Sequence, residues 1–410
     1  MRKVIKILAK VLSAIVLLLI FLPIFLTLLL NLESIQNIIV RHAATYISES
    51  LGTRVSVDRI DLDLFTRVRV EGFYVEDYEQ DTLLYAKSAV ASLSSLDIKK
   101  DGLCLRAVEA DGAKLYIREM ADGELNIRPI IAKLQNPDKE SDFRLFMADA
   151  EVRDLDFHYT TLTPRMPEYG MDYDDIRILN VDARVENICL VEGVVRGDIV
   201  RFAADERSGI RIDDLSGSMI IDMGIIHVDD LRVVTPHSQL NMPRMHINGD
   251  SWLEYKEYIN SVEMDIEAVN SYISTTDIGY FAPALRDWGI TIRDIDLTYQ
   301  GTVDDFDAKL RDASIGQKSK LRATAHITGM PEWRTAYYVI GVENMHLDVG
   351  DAHEILDAVL KSPLPDKVLD IVDRMEWVDM RATYGGRFDS FRVAGNMNTA
   401  SGHVRADVKL

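Results

Sequence analysis

Nine histidines are the natural metal ligands and proton carriers of this 410-residue chain, and their spacing serves neither role. His353-Glu354 opens like a zinc-peptidase helix. The residue four positions after His353 is Asp357, where that chemistry needs a second histidine so that both imidazoles share one helical face. Gly316-Gln317-Lys318-Ser319 resembles the end of a phosphate-cradling loop, but Arg311 stands where such a loop needs its first glycine. No GxGxxG or GxSxG occurs. The acidic pairs Asp61/Asp63, Asp174/Asp175 and Asp304/Asp305 have the chemistry of cation ligands or paired acid and base. In a chain so rich in aspartate they read as the solvated side of strands. Cys104 and Cys189 are the only cysteines. Two thiols cannot complete a structural zinc site, and both lie in apolar runs (Leu103-Cys104-Leu105, Ile188-Cys189-Leu190) that predict buried thiols. A disulfide between them stays open. The sequence thus predicts no enzyme, no metal and no cofactor.

Charge narrows the partners. The net charge of −20 opposes general nucleic-acid binding, which needs a positive footprint on phosphates. With 47% hydrophobic and 27% charged residues, the chain is neither disordered nor a multi-span membrane protein. Arg2, Lys3, Lys6 and Lys10 precede the first acid, Glu33. Setting those four aside from 46 basic residues leaves 42 against 66 acidic ones, so the remainder carries −24. Lipid contact by that remainder must be apolar.

Residues 11–30 (VLSAIVLLLIFLPIFLTLLL) hold no charge. As a helix they span about 30 Å, the hydrocarbon thickness of a bilayer. Val11, Leu12, Leu17, Leu18, Leu19, Phe21, Phe25 and Leu30 are its candidate lipid-facing residues. The run ends Leu28-Leu29-Leu30-Asn31-Leu32 without the small-x-small pattern of a cleaved signal. The basic flank places the N-terminus in the cytoplasm and residues 33–410 outside, which in a two-membrane bacterium is the periplasm, on the inner membrane. Residues 33–52 predict an amphipathic helix through Ile35, Ile38, Ile39, Ala43, Tyr46 and Ile47, stopping at Gly52.

Beyond residue 53 the period becomes two. Val262, Met264, Ile266 and Ala268 alternate with acids, and Leu179, Val181, Ala183 and Val185 alternate with polar residues. Such strands have one apolar and one wet face. A slip in the alternation recurs at Val57-Asp58-Arg59-Ile60, Val152-Arg153-Asp154-Leu155 and Ile292-Arg293-Asp294-Ile295. Shorter copies are Ile212-Asp213-Asp214-Leu215 and Val228-Asp229-Asp230-Leu231. Two polar residues separate two apolar ones, so a strand keeping its apolar face inward must bulge there. The copies are irregularly spaced, a loose repeat. Residues 129–141 predict a short helix and polar linker, 277–288 a helical turn ending near Trp288-Gly289, and 351–375 two helices broken at Pro363 and Pro365. The chain stops within an alternating strand, Val404 to Leu410, which either caps a sheet or belongs to the N-terminal part of a longer protein, the second reading being favoured.

The order of these features resembles a known family. The anchor leads to a helix ending Tyr46-Ile47-Ser48-Glu49-Ser50-Leu51-Gly52, then to Val55-Ser56-Val57-Asp58-Arg59-Ile60-Asp61-Leu62, Val70-Glu71-Gly72-Phe73-Tyr74-Val75 and Asp122-Gly123-Glu124-Leu125-Asn126-Ile127. This resembles the AsmA-like superfamily, and within it the TamB-like proteins, over residues 1–160 and diffusely through 410. The resemblance implies an inner-membrane anchor and a taco-like β-groove in the periplasm. It implies outer-membrane biogenesis through phospholipid transport or assembly of outer-membrane proteins, with a barrel partner met through a region this chain lacks, and no catalytic residues. The expected fold is mainly β: an N-terminal transmembrane helix, then an elongated, twisted, groove-forming antiparallel sheet with a few short helices. The expected segments are 1–32 basic flank and anchor, 33–52 amphipathic helix, 53–135 first β region, 136–145 linker, 146–350 continuing groove, 351–375 helical insertion and 376–410 further strands. Strand parity nominates Ile60, Leu62, Leu64, Val68, Val70, Leu115, Ile117, Leu155 and Phe157 as groove lining for phospholipid acyl chains. The alternative is a tethered structural or protein-binding scaffold whose sheets close on themselves. An anchored enzyme would need titratable residues converging in one pocket.

Overall fold

The computed structural model describes residues 42, 44–63, 67–93, 103–130, 144–163, 169–172, 174–191, 193–360 and 364–410. The proposed anchor at 11–30, its basic flank and Leu64 lie outside these residues. Among the described residues, no helix is long and apolar enough to cross a membrane. The chain is mainly β, with 20 strands among the described residues, and it divides into two units.

The first unit comprises residues 1–164 with 179–181. The helix that precedes its strands ends at Gly52, where a φ of +71° suits glycine and the amide bonds Ser48 O at 2.8 Å. The strands are β1 (Val55–Ser56), β2 (Arg59–Asp63), β3 (Arg67–Glu76), β4 (Thr82–Leu93), β5 (Leu103–Arg118) and β6 (Leu145–Thr160). β1 and β2 pair side by side with β3, and β3–β4–β5 continue antiparallel. β6 then pairs with β5 in parallel, which corrects the expectation of a purely antiparallel sheet. A parallel pair needs a long crossover, and residues 119–144 supply it. That crossover carries Ile127 and Ile130 onto a core of Val55, Val75, Leu83 and Ile117, flanked by Leu115, Phe157 and Tyr159.

A buried polar knot fixes the crossover's start. Asn126 donates from Nδ2 to Asp77 Oδ2 at 3.0 Å and accepts the Arg118 amide at 2.9 Å, while Arg118 Nη2 reaches Asp77 at 2.5 Å. Burial pushes the Asp77 carboxyl up, but the hydrogen bonds from Asn126 and Arg118 outweigh it and hold the carboxyl below the usual range.

The second unit comprises residues 165–178 and 182–410. Its strands are β7 (Asp175–Val191, shared with the first unit at 179–181), β8 (Val194–Glu206), β9 (Arg211–Ile212), β10 (Asp214–Asp222), β11 (Ile225–Val234), β12 (Gln239–Asn248), β13 (Glu263–Ser274), β14 (Thr291–Gly301), β15 (Asp305–Ile315), β16 (Ser319–Thr328), β17 (Tyr337–Asp348), β18 (Trp377–Arg387), β19 (Ser390–Thr399) and β20 (Gly402–Lys409). From β10 to β20 each strand pairs antiparallel with the next, and β8 pairs with β10. Helix α1 (Thr275–Phe281) and a 3-10 turn (Pro283–Trp288) ending at Gly289 (φ +64°) link β13 to β14. Helices α2 (Val349–Val359) and α3 (Asp366–Met375) link β17 to β18. Both α1 and α2 begin two residues before the apolar pattern does, because Ser274 and Asp348 cap the amides of Thr276 and Gly350.

The recurrent slip becomes geometry. In three copies the second polar residue, Asp154, Asp230 or Asp294, adopts a left-handed φ of 51–54°. Short polar side chains tolerate that region best after glycine. Asp230 is the extra residue where Ser216–Ser218 of β10 faces Asp229–Arg232 of β11, and Asp294 is extra against both β13 and β15. Asn270 (φ +44°) does the same on β13. In the other two copies the slip breaks the strand, between β1 and β2 and between β9 and β10.

The first unit's core yields a prediction. Ile117→Ala empties part of a closed cluster and should cost about 2–5 kcal/mol in chemical denaturation of the full chain. An unchanged midpoint would mean that the crossover does not seal this core.

Candidate functional site

The register of the second unit aligns apolar residues across strands. One row runs Gly197, Met219, Val228, Met245, Ile266, Tyr299, Ala308, Ala325, Ile340, Tyr384, Val393 and Val408, one residue from each of twelve strands. A second row, two residues away, runs from Val195 through Ile221, Ile226, Ile247, Met264, Gly301, Phe306, Ile327, Tyr338 and Gly386 to Phe391. Register partners lie on the same side of a sheet, so these rows form one apolar face. The bulges maintain it. On β17, Tyr338, Ile340 and Val342 hold one parity and Met345 and Leu347 the other, with a register shift between Val342 and Met345.

Most of this face is half-buried. In the first row only Gly197 and Val228 are buried, and Val408 is exposed. Side chains at the centre of a packed two-layer core would be buried. Apolar surface this continuous makes the face a candidate binding surface. Of the tyrosines in these rows, Tyr299 is the one whose surroundings are dry enough to act on its phenol: burial pushes it up to about 12, and its hydroxyl donates to Thr302 O at 2.6 Å. The alternate residues make the other face polar, with Arg244–Asp265 at 3.0 Å, Arg311–Glu267 at 3.3 Å and Arg392–Asp407 at 2.6 Å.

At one end of the sheet, a clasp occurs twice. Ser238, in the β11–β12 turn, donates its hydroxyl to Asp277 of α1 and accepts the amide of the cap residue Ser274 at 3.0 Å. Ser319, at the start of β16, donates to Asp351 of α2 at 2.8 Å and accepts the amide of the cap residue Asp348 at 3.0 Å. In both, the carboxylate lies three residues after the cap. Asp351 also accepts the amides of Gln317, Lys318 and Ser319 at 2.8–2.9 Å. The loop that resembled a phosphate cradle therefore binds a carboxylate of its own chain.

The residues nominated from sequence fall mostly in the first unit. Leu115, Ile117 and Phe157 meet in its closed core. Ile60 pairs with Val70, and Leu62 with Val68, on the β2–β3 ladder; Ile60, Val68, Val70 and Leu155 are half-buried, and Leu62's side chain lies outside the described residues. The second unit's rows were not nominated, although the β13 alternation displayed two of their members, Met264 and Ile266. Asp175 corrects the reading of a solvated pair: it is buried and bonded to Arg207 at 3.0 Å and Arg177 at 3.4 Å. Asp61 meets Arg59 at 3.0 Å on the surface as expected. Cys104 and Cys189 are half-buried, short of the buried thiols anticipated. The densest histidine pair, His227 stacked on His246 at 3.9 Å, uses Asn248 and Asp229 as partners. Among the described residues, no group of three or more His, Cys, Asp or Glu could hold a metal ion.

The chain matches no family model, no curated protein and no solved structure.

The clasp titrates. Burial pushes the Asp351 carboxyl up, but the three amides and the Ser319 hydroxyl prevail and hold it at about 2, against an ordinary 3.8. A depressed folded pKa stabilises the fold above the unfolded value, and that stability fades as pH falls from 3.8 through 2. Asp351→Asn should cost about 1.5–3 kcal/mol at neutral pH, the range for hydrogen bonds to a charged group. It should also flatten the denaturation midpoint between those pH values. A wild-type slope retained in the variant would assign that titration elsewhere.

Proposed function

We propose that this chain is a non-catalytic, membrane-anchored carrier whose open β-face holds phospholipid acyl chains, as the AsmA-like resemblance implies. In this reading it is tethered to the inner membrane by residues 11–30 and extends into the periplasm. There it serves outer-membrane biogenesis, by moving phospholipid between membranes or by assisting outer-membrane protein assembly. The observation that carries the reading is the apolar face spanning twelve strands of the second unit with most of its side chains half-buried. Acyl chains bind through apolar area without directional bonds, so a long uncharged row suits them and a cluster of polar groups would not. The acidic composition keeps the rest of the body off anionic headgroups. The alternative of a scaffold with closed sheets draws support from the first unit, where Ile127 and Ile130 of the crossover pack on the core.

Photo-crosslinking separates the two. With a benzophenone amino acid at Ile266 or Ile340, the full chain in phospholipid nanodiscs should yield lipid adducts, and at Lys309 or Arg392 it should not. Equal labelling of the two faces would defeat the carrier reading. Ile340→Asp should abolish adducts at Ile266 as well, since a charge in the row must stay hydrated and interrupts it.

A further inference from the structure

The apolar face ends, beside the second clasp, in a cavity. Leu347 and Val378 are register partners that continue the apolar parity of β17 and β18. Over them, α2 and α3 contribute Ala352, Leu356, Val372 and Met375, and Trp377 completes the lining. The cavity holds about 250 Å³, and every residue lining it is apolar. An apolar cavity of about 150 Å³ already stays dry and takes up benzene. The two helices are held unequally. Asp351 ties the start of α2 to the β15–β16 turn through four hydrogen bonds. α3 is joined to α2 by His353–Asp373 at 2.6 Å, and at its end the Ala400 amide reaches Met375 O at 3.1 Å.

We infer that this cavity is the end-stop of the carrier face, a pocket that takes the methyl end of one acyl chain under the α2–α3 pair. The inference rests on the carrier reading and adds a polarity to it: chain ends lie at the clasp, headgroups away from it. The volume and the absence of polar lining fit a hydrocarbon terminus. A headgroup or a free anion would bring charges with no partner inside. Continuity with the face through Leu347 and Val378 lets the same chain occupy both.

The test uses the full chain in nanodiscs with two phosphatidylcholine probes, one carrying a diazirine at the acyl terminus and one near the carboxyl end of the acyl chain. Adducts are mapped by mass spectrometry. The terminal probe is expected on Met375 and Trp377, and the other probe on the open rows alone. Ala352→Leu, which fills the cavity with a larger apolar side chain, should remove the Met375 and Trp377 adducts while those at Ile266 and Ile340 persist. Terminal-probe adducts confined to the open rows in the wild-type chain overturn the end-stop and leave the carrier reading standing. No adducts on either region overturn both. Persistence of the cavity adducts in an Ala352→Leu chain of unchanged stability also overturns the end-stop.

Discussion

A strand side chain points up or down with a period of two, and one extra residue inverts everything after it. That constraint governs this molecule. An apolar face can cross twelve strands only if every strand keeps its phase, yet twist and curvature require residues to be inserted. The sequence resolves the conflict where aspartate or asparagine enters the left-handed region. Asp230, Asn270 and Asp294 each add one residue to their strand, so that the residues beyond the slip return to the face they would otherwise leave. Glycine would be easier at such positions, but an aspartate also remains on the wet face and adds charge there. The abundance of aspartate, which first reads as mere surface, is partly this phasing device.

Closure then depends on connection chemistry. In the first unit a parallel pairing forces a long crossover, and the crossover brings Ile127 and Ile130 over the sheet. In the second unit the connections from β10 onward join antiparallel neighbours, so most need only a tight turn and bring no covering layer with them. The two longest connections, at α1 and at α2–α3, sit at one end, each held there by a carboxylate and a serine, while the helical turns Trp252–Glu257 and Tyr258–Ser261 between β12 and β13 sit at the other. Similar strands thus carry a core packed by a crossover in one unit and a half-buried face in the other.

How much of this was legible follows from range. Alternation and slip are local, so the β class, the bulge at Asp294 and the helices around 277–288 and 351–375 could be read from neighbours in sequence. Pairing partners are remote. Nothing local distinguishes Leu103–Arg118 paired in parallel from the same strand paired antiparallel, and that difference decided whether Leu115 and Ile117 line a trough or a core. Asp175 and Asp351 look like any surface acid until strands some thirty residues away bring Arg207 and the 317–319 amides to them. Parity alone could say that Ile266 and Tyr299 each have an apolar side, but their register was needed to align them in one row.

The repeated clasp makes an open face tenable. An uncovered apolar row gains stability by collapsing onto itself or onto another sheet, and a flexible sheet would do so. A rigid end opposes collapse. The Ser238–Asp277 and Ser319–Asp351 pairs bind turn to helix with charge-assisted hydrogen bonds in which Ser238, Ser319 and Asp351 are buried, so bending at the second clasp would strand a buried carboxylate without partners. The two clasps lie on strands separated by a full β13–β16 interval, which spaces the stiff points along the sheet rather than concentrating them. Polar chemistry at the clasps thus ties turn to helix at one end of the second unit's apolar face.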